Sequence, residues 1–203
     1  MKYLKRFNES TSSDVDKILR KGFKELIERS HIVSDQVEDN MDKFIEEFDV
    51  EKFENKFGKI KEFLGVGVFG SVFSLDNGKI CKIFKITFDF HEAPFLYEYC
   101  FLKKTPGFVK VDGVWKIKFG DTNAYLIVRD PVRVLEHNEF SKHIKEVRSV
   151  EKAMYDISPN WRGTHMGNYA FQDGKVVLYD GFCKKVIVDE TKIPLLEIIK
   201  KDE

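Results

Sequence analysis

Cysteine is scarce in this chain: Cys81, Cys100 and Cys183 are the only three in 203 residues, and they show no metal-ligand spacing. That gives no sign of a cysteine metal site and points to a reducing cytosol, so a cytoplasmic location is expected. A long apolar run is also absent, and the charged N-terminus has no signal-peptide core, which excludes a membrane segment and a leader from the reading. Charge of one sign is missing too, because 34 basic and 34 acidic residues cancel. No dedicated nucleic-acid binding is therefore expected, and Lys103-Lys104 and Lys184-Lys185 read as solvated faces. Phenylalanine, by contrast, is abundant, with 19 residues that fall mostly on apolar faces and read as core.

The most informative stretch is Gly65-Val66-Gly67-Val68-Phe69-Gly70-Ser71-Val72. A glycine pattern of this kind is either a dinucleotide turn or a loop that covers phosphates from above. In the dinucleotide unit the third glycine opens a helix. Here Ser71 to Leu75 is rich in strand formers, Asn77-Gly78 is a strong hairpin signal, and Lys79 to Thr87 reads as a second strand. A two-residue Asn77-Gly78 turn pairs Asp76 with Lys79, Phe73 with Lys82, Val72 with Ile83 and Gly70 with Lys85. Alternation then puts Lys85 on the face of Val72 and turns Lys82 away, unless a bulge or a one-residue change in the turn reverses them. Lys79 reads as a solvated strand residue.

Further along, Pro94 suits a first helical position, and Phe95 to Lys104 has helical spacing with Glu98 inside it. Phe101 and Leu102, three and four residues on, offer Glu98 no local ion pair and suggest an inward face. Strands are expected at Phe108 to Phe119 and Ala124 to Val128, with Asp112-Gly113 and Gly120-Asp121 as turns. Leu135, Phe140, Ile144, Val147, Val150 and Met154 recur at helical spacing and stop at Ser158-Pro159. Next come His165-Met166-Gly167-Asn168, a strand Tyr169 to Phe171, a turn at Asp173-Gly174, and a strand Val176 to Tyr179 leading to Asp180-Gly181-Phe182.

In this order the motifs resemble the protein-kinase-like superfamily, which includes the small-molecule kinases. The resemblance covers roughly residues 59 to 186. It implies an α+β, two-lobed fold with a five-stranded antiparallel small lobe at 58–130 and a reduced helical large lobe at 131–203. By that resemblance Gly65, Gly67, Gly70, Val72 and Lys85 bind ATP, and Glu98 pairs with the strand lysine, with Glu92 as the runner-up. Asn168 and Asp180 hold Mg2+ between the phosphates, and their oxygens suit that hard cation. His165 contacts a phosphate or the acceptor, or is a loop histidine bonded to backbone. Asp180-Gly181-Phe182 inverts the last two residues of the familiar Asp-Phe-Gly. One departure is chemical: five residues before Asn168, where the superfamily carries its catalytic aspartate, stands Gly163. Neither Asp156, at a helix end, nor Asp173, in a hairpin turn, is expected to replace it. The implied function is a kinase-like ATP- and magnesium-binding protein, a phosphotransferase or else a pseudokinase acting as an interaction module.

Residues 1–57 lie outside the resemblance and form a helical extension. One apolar face carries Val15, Ile18, Leu19, Phe23, Leu26 and Ile27, and another Val37, Met41, Phe44, Ile45, Phe48 and Phe53. They can meet a protein partner or pack on the small lobe, and the need of a small domain to cover apolar surface favours packing. The opening Met1 to Glu9 resembles the start of many proteins of large tailed bacteriophages. After Asp180 a strand at Val186 to Val188 and a helix at Pro194 to Lys201 are expected.

Overall fold

A computed structural model describes residues 14–25, 43–66, 70–84, 92–119, 122–158, 165–180 and 189–199. Gly67, Lys85, Gly163, Cys183 and the expected strand Val186 to Val188 lie outside this set. The side chain of Glu92 does as well. The chain divides into two compact units that interleave in sequence. The first takes residues 14–84, 115–128 and 195–199, and the second takes 92–114 and 129–194, within the described set. Residues 92–114 thus group with the second unit although the expected lobe boundary was at 130.

The first unit is built on an antiparallel sheet of five strands in the order β1-β2-β3-β5-β4. These are β1 (Ile60–Val66), β2 (Gly70–Leu75), β3 (Ile80–Phe84), β4 (Gly113–Phe119) and β5 (Thr122–Arg129). Helices α1 (14–25), α2 (43–47) and α3 (Val50–Phe57) precede it. Alternation along the strands buries Phe73, Leu75, Cys81, Ile83, Ile117 and Leu126 on one face, where they join Val15, Leu19, Phe23, Phe44, Ile45, Phe48 and Phe53 in a single cluster. The described residues of the two expected apolar faces are therefore core, while Leu26, Ile27, Val37 and Met41 lie outside the described residues. Burial of each such side chain is worth about 1.5–3 kcal/mol.

Gly22 lets α1 lie close on the sheet, because a Cβ there would sit 2.7 Å from the Phe73 ring. Its carbonyl accepts the buried Ser71 hydroxyl at 2.7 Å. Asp49 caps α3 by accepting from Lys52 N, and Gly58 ends it at φ +96°.

The β2–β3 turn differs from expectation. Leu75 N donates to Lys79 O at 2.8 Å and Gly78 N to Leu75 O at 3.1 Å, so three residues, not two, form the loop, with Gly78 at φ +82°. This is a type I turn closed by a left-handed glycine. Its polar side chains are held by the end of α3: Asn77 Nδ2 donates to Phe57 O at 2.8 Å, and Lys59 N donates to Asp76 Oδ1 at 2.9 Å. Tertiary anchoring of Asp76 and Asn77 thus sets the loop length.

The C-terminal segment also departs from expectation. No helix covers 194–199. Instead Leu195 bridges Lys116 in parallel and Ile199 bridges Phe48 in antiparallel fashion. Leu196 and Ile198, two apart, are buried, so the segment follows strand periodicity and not helical periodicity.

In the second unit α4 (Glu92–Phe95) starts two residues before Pro94 and runs into a π-helical segment, Leu96–Leu102, whose widened turn is closed by Lys103 N donating to Glu98 O at 3.0 Å. A small sheet follows, ordered β6 (Arg133–Val134), β7 (Tyr169–Gln172), β8 (Lys175–Leu178). Residues 107–109 run beside β8, with Val109 N to Leu178 O and Leu178 N to Gly107 O both at 2.9 Å. The expected strand Phe108 to Phe119 is therefore divided at the Asp112-Gly113 turn. The expected long helix is a short α5 (His137–Phe140) and then α6 (Ile144–Ile157), which ends at Ser158 and buries Val147, Val150 and Met154.

Candidate functional site

The glycine stretch lies in a β-hairpin, not at a helix start. Strand β2 begins at Gly70 and pairs antiparallel with β1. Gly65 faces Val72 across that ladder, next to a register shift at Phe63/Gly65, and has φ +156° with open space where a Cβ would project. A bulge at such a point sharpens the local twist and bends β1 near its end. Ser71 faces inward and its hydroxyl is held by α1, so it belongs to the core and not to a phosphate-facing surface.

The three-residue turn shifts the β2–β3 register by one from that expected. Val72 is opposite Lys82, Phe73 opposite Cys81, Ser71 opposite Ile83 and Gly70 opposite Phe84. The pairing that selected Lys85 is therefore corrected. On the described strands Lys82 shares the face of Val72, with Ser74 and Ile80 beside them, while Cys81 and Ile83 point into the core. The Lys82 side chain is half-buried. Ser74 Oγ on the same face is buried and has no hydrogen-bond partner among the described residues. A buried hydroxyl without a partner carries a desolvation cost that a bound polar group would relieve. Burial pushes the thiol of Cys81, on the opposite face, well up, so it is inert packing.

In the second unit Glu98 has a local ion pair, while Lys85, the strand lysine expected to meet it, lies outside the described residues. The π-helical winding sets Lys103, five residues on, against it at 3.0 Å. The Lys103 ammonium also lies 4.4 Å from the centroid of the Tyr99 ring. Helical spacing of three and four residues concealed this pair.

Asn168 and Asp180 come together through backbone. Residues Met166–Asn168 form a single 3-10 turn that leads directly into β7. Tyr169 pairs with Leu178, and one rung further Tyr179 N donates to Asn168 O at 2.9 Å. The amide of Asn168 and the carboxylate of Asp180 thus leave the same end of one hairpin, and both residues are half-buried. An amide oxygen and a carboxylate at one hairpin end are the donor type a hard cation takes. The Arg129 guanidinium lies over the Tyr179 ring, 5.7 Å from its centroid.

His165 is bonded to backbone on one side of its ring. Its Nδ1 accepts from Gly167 N at 3.3 Å and its carbonyl from Asn168 N at 2.9 Å. In the neutral ring this leaves the proton on Nε2, which is then a donor and not a base. Asp156 lies in the last turn of α6, and Asp173, at φ +52°, is paired with Lys110 at 2.6 Å. Both are where the sequence reading put them. Lys110 is held further by Gln172, whose Oε1 accepts from Lys110 N at 2.7 Å. Comparison of the chain with protein-family models finds no match, and comparison with curated proteins finds none either.

Proposed function

We propose that the protein is a kinase-like binder of ATP and magnesium and a candidate phosphotransferase with Gly163 at the position of the usual catalytic aspartate. The observation that carries this reading is the backbone rung between Asn168 and Tyr179, which brings the two candidate magnesium ligands, Asn168 and Asp180, to one hairpin end. The first unit supports it independently with a glycine-rich hairpin and with Val72 and Lys82 facing each other across the next ladder. In this reading Gly65, Gly67 and Gly70 cover the phosphates, Val72 contacts the base, and Lys82 takes the phosphate role first given to Lys85. His165 donates through Nε2 to an anionic oxygen.

A second reading is favoured by Gly163 together with the hydrogen bond at His165 Nδ1. The loop then offers no general base, whose loss lowers rate by about 10² to 10⁴. A nucleotide-binding pseudokinase has the same ligand site and no appreciable turnover. Its contact with a partner would have to use a surface other than the apolar faces of α1 and α2, which are core.

Thermal unfolding with and without magnesium-ATP tests both readings. Ligand at 100 times its dissociation constant adds about 2.7 kcal/mol. The expected result is a magnesium-dependent rise in Tm that Asp180→Ala abolishes; no rise in the wild type overturns both readings. Phosphoryl transfer or hydrolysis by the protein that binds separates the kinase from the pseudokinase.

A further inference from the structure

Residues 195–199 reach the first unit as an extended segment and fill a groove with two walls. One wall is β4, at the edge of the five-stranded sheet, where Leu196 N donates to Lys116 O at 2.7 Å. The other is the corner between α2 and α3, where Asp49 N donates to Ile198 O at 2.6 Å. Between these bonds Leu196 and Ile198 enter the same apolar cluster as Phe48, Phe53 and Phe57, and Leu195 and Glu197 face outward. Asp49 is also the residue whose carboxylate accepts from Lys52 N at 3.1 Å to start α3. The segment therefore satisfies a backbone donor at the cap of a helix and covers the aromatic residues beneath it.

We propose that residues 195–199 are a detachable β-strand latch, a local ligand of the α2–α3 corner that opens without unfolding the sheet. The β2–β3 ladder pairs each residue from Gly70 to Ser74 and is central in its sheet. Among the described residues the latch holds by two isolated bridges, to Lys116 and to Phe48, with Leu196 and Ile198 buried and Ile199 packed beside them, against five consecutive rungs in β2–β3, and a short segment of this kind is one that opens subglobally. Its occupant is set by pattern: an extended strand with apolar side chains two residues apart, as Leu196 and Ile198 are.

Hydrogen exchange on the full chain tests this. The amides of Asp49 and Leu196 are expected to exchange together, at least ~10-fold faster than those of Val72 and Phe73, as an independent opening requires. Ile198→Ala should accelerate both latch amides, which remain faster than the β2–β3 amides. Exchange of all four at one common rate, or an Asp49 amide indifferent to Ile198→Ala, overturns the proposal. As a second measurement, a labelled peptide of residues 194–203 is added to the full chain carrying Leu196→Asp and Ile198→Asp. Binding at least ~10-fold tighter than to the wild type is expected, because the resident strand competes in the wild type. Equal binding to the two, or unchanged affinity when the peptide carries the same two aspartates, overturns it.

Discussion

Val72 and Lys82 stand directly opposite each other across β2 and β3, on the half-buried face of the sheet. In the proposed reading the lysine on the face of Val72 takes the phosphate role. Lys82→Ala is therefore expected to lose the magnesium-ATP rise in Tm, whereas Lys61→Ala, on the exposed face of β1, keeps it. A rise that survives Lys82→Ala and vanishes in Lys85→Ala would return the role to Lys85.

The register depends on the turn, so turn substitutions should be costly although they lie on the surface. Gly78→Ala introduces a side chain at φ +82° and is expected to destabilise by about 1–2 kcal/mol in urea denaturation. Asn77→Ala removes the bond to Phe57 O and the acceptor for Lys79 N, each worth about 0.5–1.5 kcal/mol. An unchanged midpoint in both variants would refute turn-set register.

Asn77-Gly78 marks a hairpin correctly, because asparagine and glycine tolerate left-handed backbone. The loop length did not follow from the dipeptide. Two- and three-residue loops both accept it, and the choice fell to Asp76 and Asn77, whose side chains cap residues 17 and 20 positions away.

Close packing of α1 predicts sensitivity at Gly22 and Ser71. Gly22→Ala forces a methyl against the Phe73 ring and should cost about 1–3 kcal/mol by overpacking. Ser71→Ala removes the buried hydroxyl bonded to Gly22 O and should cost a similar ~1–3 kcal/mol. The double variant is expected to be non-additive, since the two positions share one contact. Strict additivity in a denaturation cycle would contradict that contact.

Acid sensitivity should arise in part at Asp173. The Lys110 ammonium holds its carboxyl below the usual range. A folded pKa below the unfolded one contributes stability that is present above the unfolded value, about 3.9, and lost as pH falls through the lowered folded value. Asp173→Asn should therefore flatten the stability-versus-pH curve below about pH 4, and added salt should shrink the difference, because the pair is exposed. The urea midpoint of both proteins across that range is the measurement. Parallel curves would show that the pair adds nothing.

At the candidate site, the Asn168 and Asp180 hairpin was readable because strand alternation, the Asp173-Gly174 turn and the short connection are all local. Glu98 was not, since its pairing with Lys103 arises from a π-helical turn that a regular helical spacing does not contain.

The sequence by itself determined that the chain is α+β, where the glycine hairpin falls, which N-terminal faces are apolar, and that Asn168 and Asp180 flank one hairpin. Each of these depends on periodicity or turn chemistry within a few residues. Only the tertiary structure decided the β2–β3 register, the partner of Glu98 and the extended path of residues 195–199. Leu195, Leu196, Ile198 and Ile199 satisfy a helix pattern as well as a strand pattern. The backbone bonds from Leu196 N to Lys116 O on the edge strand β4 and from Asp49 N to Ile198 O are ones that only an extended segment makes, and they made the strand the lower-energy choice.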